Sequence, residues 1–255
     1  MKMTSRKLLI INPNSSKSMT EGLDPLLIDM NRQGSTSTEI HTYTAPSGPP
    51  SINNEDDARE TAGIVIKDIE SQLSQYDAFL VACYSVHPLV GILRAKVAPH
   101  VHVTGIFEAS ISTSLSLLPM ESEKKRSKFG IVSTGTYWEK ALSDGVKDFL
   151  QVDDFKNCRR FKGVETTGLN ASELHTAPPE LVRRKMMEAT KRLVKDRDVK
   201  IICLGCAGMA GLDSIVREAL TEELGNDGRQ VHILDGVKAG VALLEGLLRA
   251  LPPQE

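Results

Sequence analysis

Apolar and polar positions fall in blocks along this chain, and the period changes from block to block. Residues 7–12 (KLLIIN) are a continuous apolar run, as in a strand buried on both faces. The run breaks at Asn12-Pro13-Asn14-Ser15-Ser16, where a proline and short polar side chains end a strand and can cap a helix. Residues 19–30 have helical spacing, with Pro25 as a kink. Residues 38–44 read as a strand and 45–54 (APSGPPSINN) as a loop. Across 55–75, Ala58, Ala62, Ile66 and Ile69 share one side of a helix. A doubly buried strand at 77–83 (DAFLVAC) runs into Tyr84-Ser85-Val86-His87-Pro88 and a helix through residue 93. Residues 101–106 are a further strand.

The plan then repeats. Strand 128–132 ends at Ser133-Thr134-Gly135-Thr136 and leads to helix 138–149. Strand 161–164 meets a polar, glycine-containing loop at 165–170. Helix 179–194 precedes strand 199–204, which ends at Gly205-Cys206. A turn at 208–211, a helix at 212–224, a strand at 231–234 and a helix at 236–251 follow. Such alternation predicts an α/β fold with parallel sheets covered by helices. Asn12 and Cys83 are separated by nearly the same length of chain as Ser133 and Cys206. The pattern therefore reads as a duplication: two pseudo-symmetric Rossmann-like lobes with the active site in the cleft between them. Residues 1–105 with 212–255 form one lobe in this reading, and 106–211 the other.

Composition narrows the function classes. The chain has 255 residues, enough for one large α/β domain or two small lobes. Its 31 basic and 33 acidic residues nearly balance, and no basic block stands out beyond Lys124-Lys125-Arg126. That run reads as a solvated loop, so nucleic acid is not an expected partner. No apolar run approaches the roughly 18–20 residues of a membrane span, and no signal-peptide pattern precedes the strand entered by Leu8. The expectation is a soluble cytoplasmic protein with no membrane partner.

Four cysteines are too few for a disulfide scaffold. Cys203 lies inside an apolar strand and reads as structural; Cys158, beside Arg159-Arg160, reads as incidental. Cys203-Leu204-Gly205-Cys206 is formally CxxC, but no second pair completes a zinc site. A redox motif would open a helix, whereas Cys203 sits in a strand. The glycines at 205, 208 and 211 do not make the dinucleotide fingerprint, and no Walker motif occurs. No metal or cofactor is expected. His100 and His102 flank a strand start and read as structural.

Cys83 and Cys206 remain. Ligands in parallel α/β sheets sit beyond the carboxyl ends of the strands, where Asn12, Cys83, Ser133 and Cys206 all fall. Lobes packed face to face would set one thiol on each side of a small ligand. One thiolate would remove a proton next to a carbonyl and the other thiol would deliver one to the opposite face. Helix starts after each cysteine would lower the thiol pKa, and their N–H groups would hold the enolate. Gly205, Gly208 and Gly211 would let the backbone approach the ligand. His87 either tunes Cys83 or caps and packs. The bland reading makes both cysteines small core residues of a bilobal binding protein without turnover.

Several segments resemble the Asp/Glu/hydantoin racemase superfamily, most closely its hydantoin/allantoin racemase branch with its fungal members. They are IINPNSSKSMT (10–20), GPPSI (48–52), VACYSVHP (81–88), GIFEAS (105–110), LGCAGMAGL (204–212) and DGVKAGVALLEGL (235–247). The resemblance implies cofactor-independent racemisation of hydantoins or allantoin by Cys83 and Cys206. It implies a ligand contact at Asn12, and pocket-lining segments at Gly48, Tyr84, Ser85, Ala207 and Gly208, largely through backbone N–H groups. Ser133 and Thr134 sit where the second lobe's first loop would face the ligand. It also implies a homo-oligomer whose partner is a small molecule. Two departures stand out. Tyr-Ser-Val-His follows Cys83 where many bacterial members carry a nearby acidic residue, and residues 165–170 look like the fungal version and would cover the site. Racemisation of free aspartate or glutamate would need cations for two carboxylates, and the loops named above hold no Arg or Lys. A decarboxylase or isomerase of the same superfamily would need only one of the cysteines.

Overall fold

The computed structural model describes residues 6–33, 38–120, 127–153 and 158–251. Lys124-Lys125-Arg126 lies outside them. Internal contacts divide the chain into Met1–Ala109 with Val237–Glu255, and Ser110–Gly236.

The first unit holds β1 (Arg6–Asn12), α1 (Lys17–Glu21), α2 (Asp24–Gln33), β2 (Thr38–Thr44), α3 (Glu55–Ile69), β3 (Ala78–Val81), α4 (Pro88–Lys96) and β4 (His102–Gly105). Helix α5 (Ile106–Leu117) starts there and runs into the second unit. The second unit continues with β5 (Lys128–Ser133), α6 (Tyr137–Leu150), β6 (Phe161–Thr166), α7 (Glu173–Thr176), α8 (Pro179–Val194) and β7 (Val199–Gly205). A 3-10 turn (Ala207–Met209), α9 (Asp213–Leu224) and β8 (His232–Asp235) complete it. Helix α10 (Gly236–Ala250) groups with the first unit.

Each unit has one four-stranded parallel sheet, ordered β2-β1-β3-β4 and β6-β5-β7-β8. The two orders are the same, so the repeat in the sequence is a repeat of topology. The central strands are buried on both faces: Leu8, Ile10 and Ile11 in β1, and Phe79, Leu80 and Val81 in β3, are fully covered. In the first unit Leu9, Ile11, Phe79 and Val81 pack against Val65 and Ile69 of α3 and Leu89 and Leu93 of α4. In the second, Val132, Ile202 and Leu204 pack against Met186 and Leu193 of α8 and Val216 and Leu220 of α9. Covering helices on doubly buried strands explain the continuous apolar runs.

Four differences from the sequence reading have physical causes. Residues 212–236 do not join the first lobe, and residues 106–109 do. Strand β8 is hydrogen-bonded beside β7, with Cys203 in register with Leu234. The single helix expected at 19–30 is two, because the chain breaks at Gly22-Leu23; Pro25 then falls in the first turn of α2, where its missing N–H is harmless. Residues 70–75 leave the α-helix for a 3-10 turn. Helix α5 has no counterpart in the apolar pattern. Its sequence (IFEASISTSLSL) is apolar and small nearly all round, and buried on several sides, so it shows no polar face. No helix among the described residues is long and apolar enough to cross a membrane.

Candidate active site

Strand register puts the two cysteines at equivalent places. Ile11 pairs with Val81, and Ala82 extends the ladder by donating its N–H to Ile11 O at 2.8 Å. Cys83 is the next residue. In the second sheet Ser133 pairs with Gly205, and Cys206 is the next residue. Each cysteine thus stands just past the end of a central strand, Cys83 after Ala82 at the end of β3 and Cys206 directly after β7, next to the strand that ends at Asn12 or Ser133. Both are half-buried, whereas Cys158 and Cys203 are buried, and none of the four forms a disulfide. Cys203 lies inside β7 with its sulfur 3.2 Å from Ser114 Oγ, as the structural reading required.

In the first unit the loop after β1 is held by its own polar groups. Asn12 is buried, and its amide nitrogen donates to Asn14 Oδ1 (3.0 Å), Ser16 O (3.1 Å) and Thr20 Oγ1 (3.0 Å). Thr20 Oγ1 also lies 2.6 Å from Thr44 Oγ1, which ties the loop to the end of β2. Asn12 therefore shapes the loop with the amide that the resemblance assigns to a ligand. Ser15 Oγ donates to Gly48 O at 2.7 Å, and Ser15 N to Pro49 O at 3.0 Å, which latches the second loop onto the first. Gly48 has φ +95°, a left-handed conformation open to glycine.

Beyond β3, Cys83 Sγ is 3.4 Å from Ser85 Oγ. Tyr84 is buried edge-on against Phe107, with ring centroids 5.6 Å apart. His87 resolves as a cap. Its Nδ1 accepts the N–H of Leu89 at 3.2 Å at the start of α4, and Nε2 lies 3.3 Å from Thr61 Oγ1. Burial pushes its pKa down to about 4, so the ring is neutral, with its proton on Nε2. Helix α4 begins at Pro88, several residues past Cys83 and after the segment 84–87 that the sequence places between strand and helix, so its N-terminus does not adjoin the thiol.

In the second unit Ser133 Oγ donates to Gly205 O at 2.8 Å, and Ser133 O and Thr134 O accept the N–H groups of Thr167 (2.9 Å) and Gly168 (3.0 Å). Ser133 and Thr134 are both buried. Gly205 is required by packing: a β-carbon there would strike Ile131 and Ser133 of β5. Cys206 caps the 3-10 turn, and its sulfur accepts the N–H of Gly208 at 3.3 Å. Helix α9 starts only at Asp213. The thiol is thus not at the positive end of a long helix. Burial pushes its pKa up to about 11, against the smaller downward pull of the N–H groups of Gly208 and Met209. This reverses the expected lowering. The neighbouring N–H groups are also in use: Met209 N donates to Cys206 O (3.0 Å), Ala210 N to Ala207 O (3.1 Å), Ser85 N to Cys83 O (3.0 Å) and His87 N to Ser85 O (2.8 Å).

One residue near Cys206 escapes the sequence reading. His175, in α7, brings its Nε2 to 3.2 Å from where a β-carbon on Gly208 would stand, and Cys206 Sγ is 3.5 Å from that same point. The only signal in the sequence is a histidine between the end of a strand and a helix starting at Pro179, in a helix too short to show a period. A separate cavity of about 590 Å³, lined by Tyr76, Asp77, Lys96, His100 and Val101, lies at the amino ends of β3 and β4. That is the end of the sheet away from Cys83, and parallel sheets use the other end for ligands.

The family model "Asp/Glu/Hydantoin racemase" matches residues 8–244. An uncharacterised protein of Schizosaccharomyces pombe is 35% identical over 244 residues, covering 95% of this chain and 92% of its own. A hydantoin racemase of Pseudomonas sp. (strain NS671) is 28% identical over 243 residues, covering 95% and 86%. Among solved structures, an allantoin racemase from Pseudomonas fluorescens aligns with a TM-score of 0.75 at 25% identity, covering 96% of this chain and 91% of that one.

Proposed function

Because this chain belongs to the Asp/Glu/Hydantoin racemase family, and so is an isomerase of the racemase class, we propose that it inverts the carbon next to a carbonyl in a hydantoin-type ring, allantoin or a 5-substituted hydantoin, with Cys83 and Cys206 as acid and base. The observation that carries this reading is the matched register: each thiol stands just past the end of a central strand, beside Asn12 in one sheet and Ser133 in the other. One thiol serves one face of the ring and the second thiol the other. A ring flanked by two carbonyls gives a flat, delocalised enolate, so proton transfer by two side chains is sufficient chemistry.

The loops favour an uncharged ring over a free amino acid. Residues 12–16, 45–54, 82–88, 133–136, 167–172 and 205–212 contain no Asp, Glu, Lys or Arg. Recognition of a free diacid depends on cations for its carboxylates, and these loops offer none. The relatives named hydantoin racemase and allantoin racemase point to the same substrate class. The same reading takes the protein as cytoplasmic and homo-oligomeric, with a small molecule as partner and no cofactor, metal, nucleic acid or membrane.

The test uses single-enantiomer allantoin or 5-substituted hydantoin in D2O, following optical rotation and deuterium at the asymmetric carbon. Loss of rotation with deuterium incorporation is expected, and Cys83→Ser and Cys206→Ser should each abolish racemisation. Full racemisation by either variant would overturn the two-thiol mechanism. Binding without exchange would return the chain to a ligand-binding role.

A further inference from the structure

We propose that His175 is the proton partner of Cys206, a base that takes the thiol proton as the sulfur is called on to act. The inference rests on the role given to Cys206 above. The geometry lies entirely in the second unit. Nε2 of His175 and Sγ of Cys206 approach one point beside Gly208 to 3.2 and 3.5 Å. That point is free because residue 208 has no side chain. Both atoms thus border the same small space, which a ring rotation or one water would bridge in the proposed step.

The fold delivers this histidine there by design of the segment 166–177. Thr167 and Gly168 are tied to Ser133 and Thr134 at the end of β5. Glu173 Oε2 accepts the N–H of Asn170 at 2.7 Å and so sets the start of α7. Leu174 is buried in the same core cluster as Leu169 and Met209, which anchors α7 against the 3-10 turn. With Leu174 pinned inward, His175 is left exposed beside Cys206.

The chemistry balances. The S–H bond of Cys206 breaks and an N–H bond forms on Nε2, giving a thiolate and an imidazolium. The thiolate then takes the proton from the carbon and becomes a thiol again. The partner matters because burial holds the Cys206 thiol in its protonated form at neutral pH, where unaided ionisation would be scarce.

The experiment needs no substrate. Carbamidomethylation of Cys206 by iodoacetamide is followed by peptide mass spectrometry in Cys83→Ser protein across a pH series. The expected rate rises in two steps, a first that depends on His175 and is present near neutral pH, and a second toward the thiol's own ionisation. His175→Gln and His175→Ala should lose the first step, with a drop of about tenfold or more near neutral pH. Added imidazole should restore part of that rate in His175→Ala. Gly208→Ala, whose methyl group would stand between the two atoms, should weaken the first step as well. A His175→Gln profile that coincides with the parent profile would overturn the proposal. That result is distinct from failure of the racemase reading, which the D2O experiment decides alone.

Discussion

The N–H of Gly208 points at the sulfur of Cys206, 3.3 Å away, and with the N–H of Met209 it pulls that thiol toward ionisation. Such a bond favours the thiolate, but burial opposes it and prevails, leaving the pKa near 11. The expected outcome is a late ionisation. The ultraviolet thiolate absorbance of Cys83→Ser minus that of Cys83→Ser/Cys206→Ser should stay small at about pH 8.5, where an ordinary thiol is half ionised, and grow only toward the pH 11 region. A difference signal already complete by about pH 9 would contradict the burial argument.

His87 supplies a pH dependence of stability. Its folded pKa of about 4 lies below the usual value near 6.5, so the unfolded chain binds the proton more readily. The contribution is present in full above pH 6.5 and is lost as pH falls toward 4, by up to about 3 kcal/mol. His87→Asn keeps an acceptor for Leu89 N–H and does not titrate. Urea titrations of the two proteins should therefore converge or cross between about pH 6.5 and 4, with the parent losing more. Parallel curves would rule out a buried neutral His87.

How much of this was legible beforehand depends on the kind of signal. The strands announced themselves because both faces of each sheet are covered, so runs such as KLLIIN and AFLV are apolar throughout. The cysteine positions followed, since strand ends are easy to see. Helix α5 stayed hidden because its buried sides include Ser110 and Ser114, fully covered yet polar by type. The thiol pKa was not legible because it is set mainly by burial of the Cys206 sulfur, which depends on how the chain packs around the 3-10 turn and outweighs the N–H groups beside it. The role of Asn12 also depended on folding: its acceptors Asn14, Ser16 and Thr20 are local, but only the turn geometry brings all three to one amide.

Gly48 offers a test of the loop that meets the end of β1. Its φ of +95° disfavours any side chain, and a β-carbon would come within 2.9 Å of Ile64 Cδ1. Gly48→Ala should lower stability by about 1–3 kcal/mol, read as a fall in melting temperature of about 2–4 °C per kcal/mol. Ser15→Ala removes the hydroxyl that donates to Gly48 O and should cost about 1 kcal/mol. An unchanged melting temperature in Gly48→Ala would mean that the loop relaxes freely and does not fix the first loop's shape.

Glu108 carries the remaining prediction. It lies in the first turn of α5, and its Oε2 is buried without a hydrogen-bond partner among the described residues. Burial raises its carboxyl pKa, against the downward pull of backbone N–H groups and of Arg94. A raised acid pKa means the folded state prefers the proton. The folded state therefore loses stability as pH rises past the ordinary carboxyl value near 4.5, and through the raised one. Glu108→Gln keeps the shape and removes the charge. It should match the parent at acid pH and exceed it by about 1 kcal/mol or more near neutrality, a gap that thermal melts at the two pH values can read. Gly105 sets the limit on this site: a β-carbon there would collide with the Glu108 carboxyl group, so Gly105→Ala should be destabilising in both backgrounds. If Glu108→Gln were less stable than the parent at neutral pH, the carboxylate would have to be a needed charge, paired with Arg94, and not a burden on the fold.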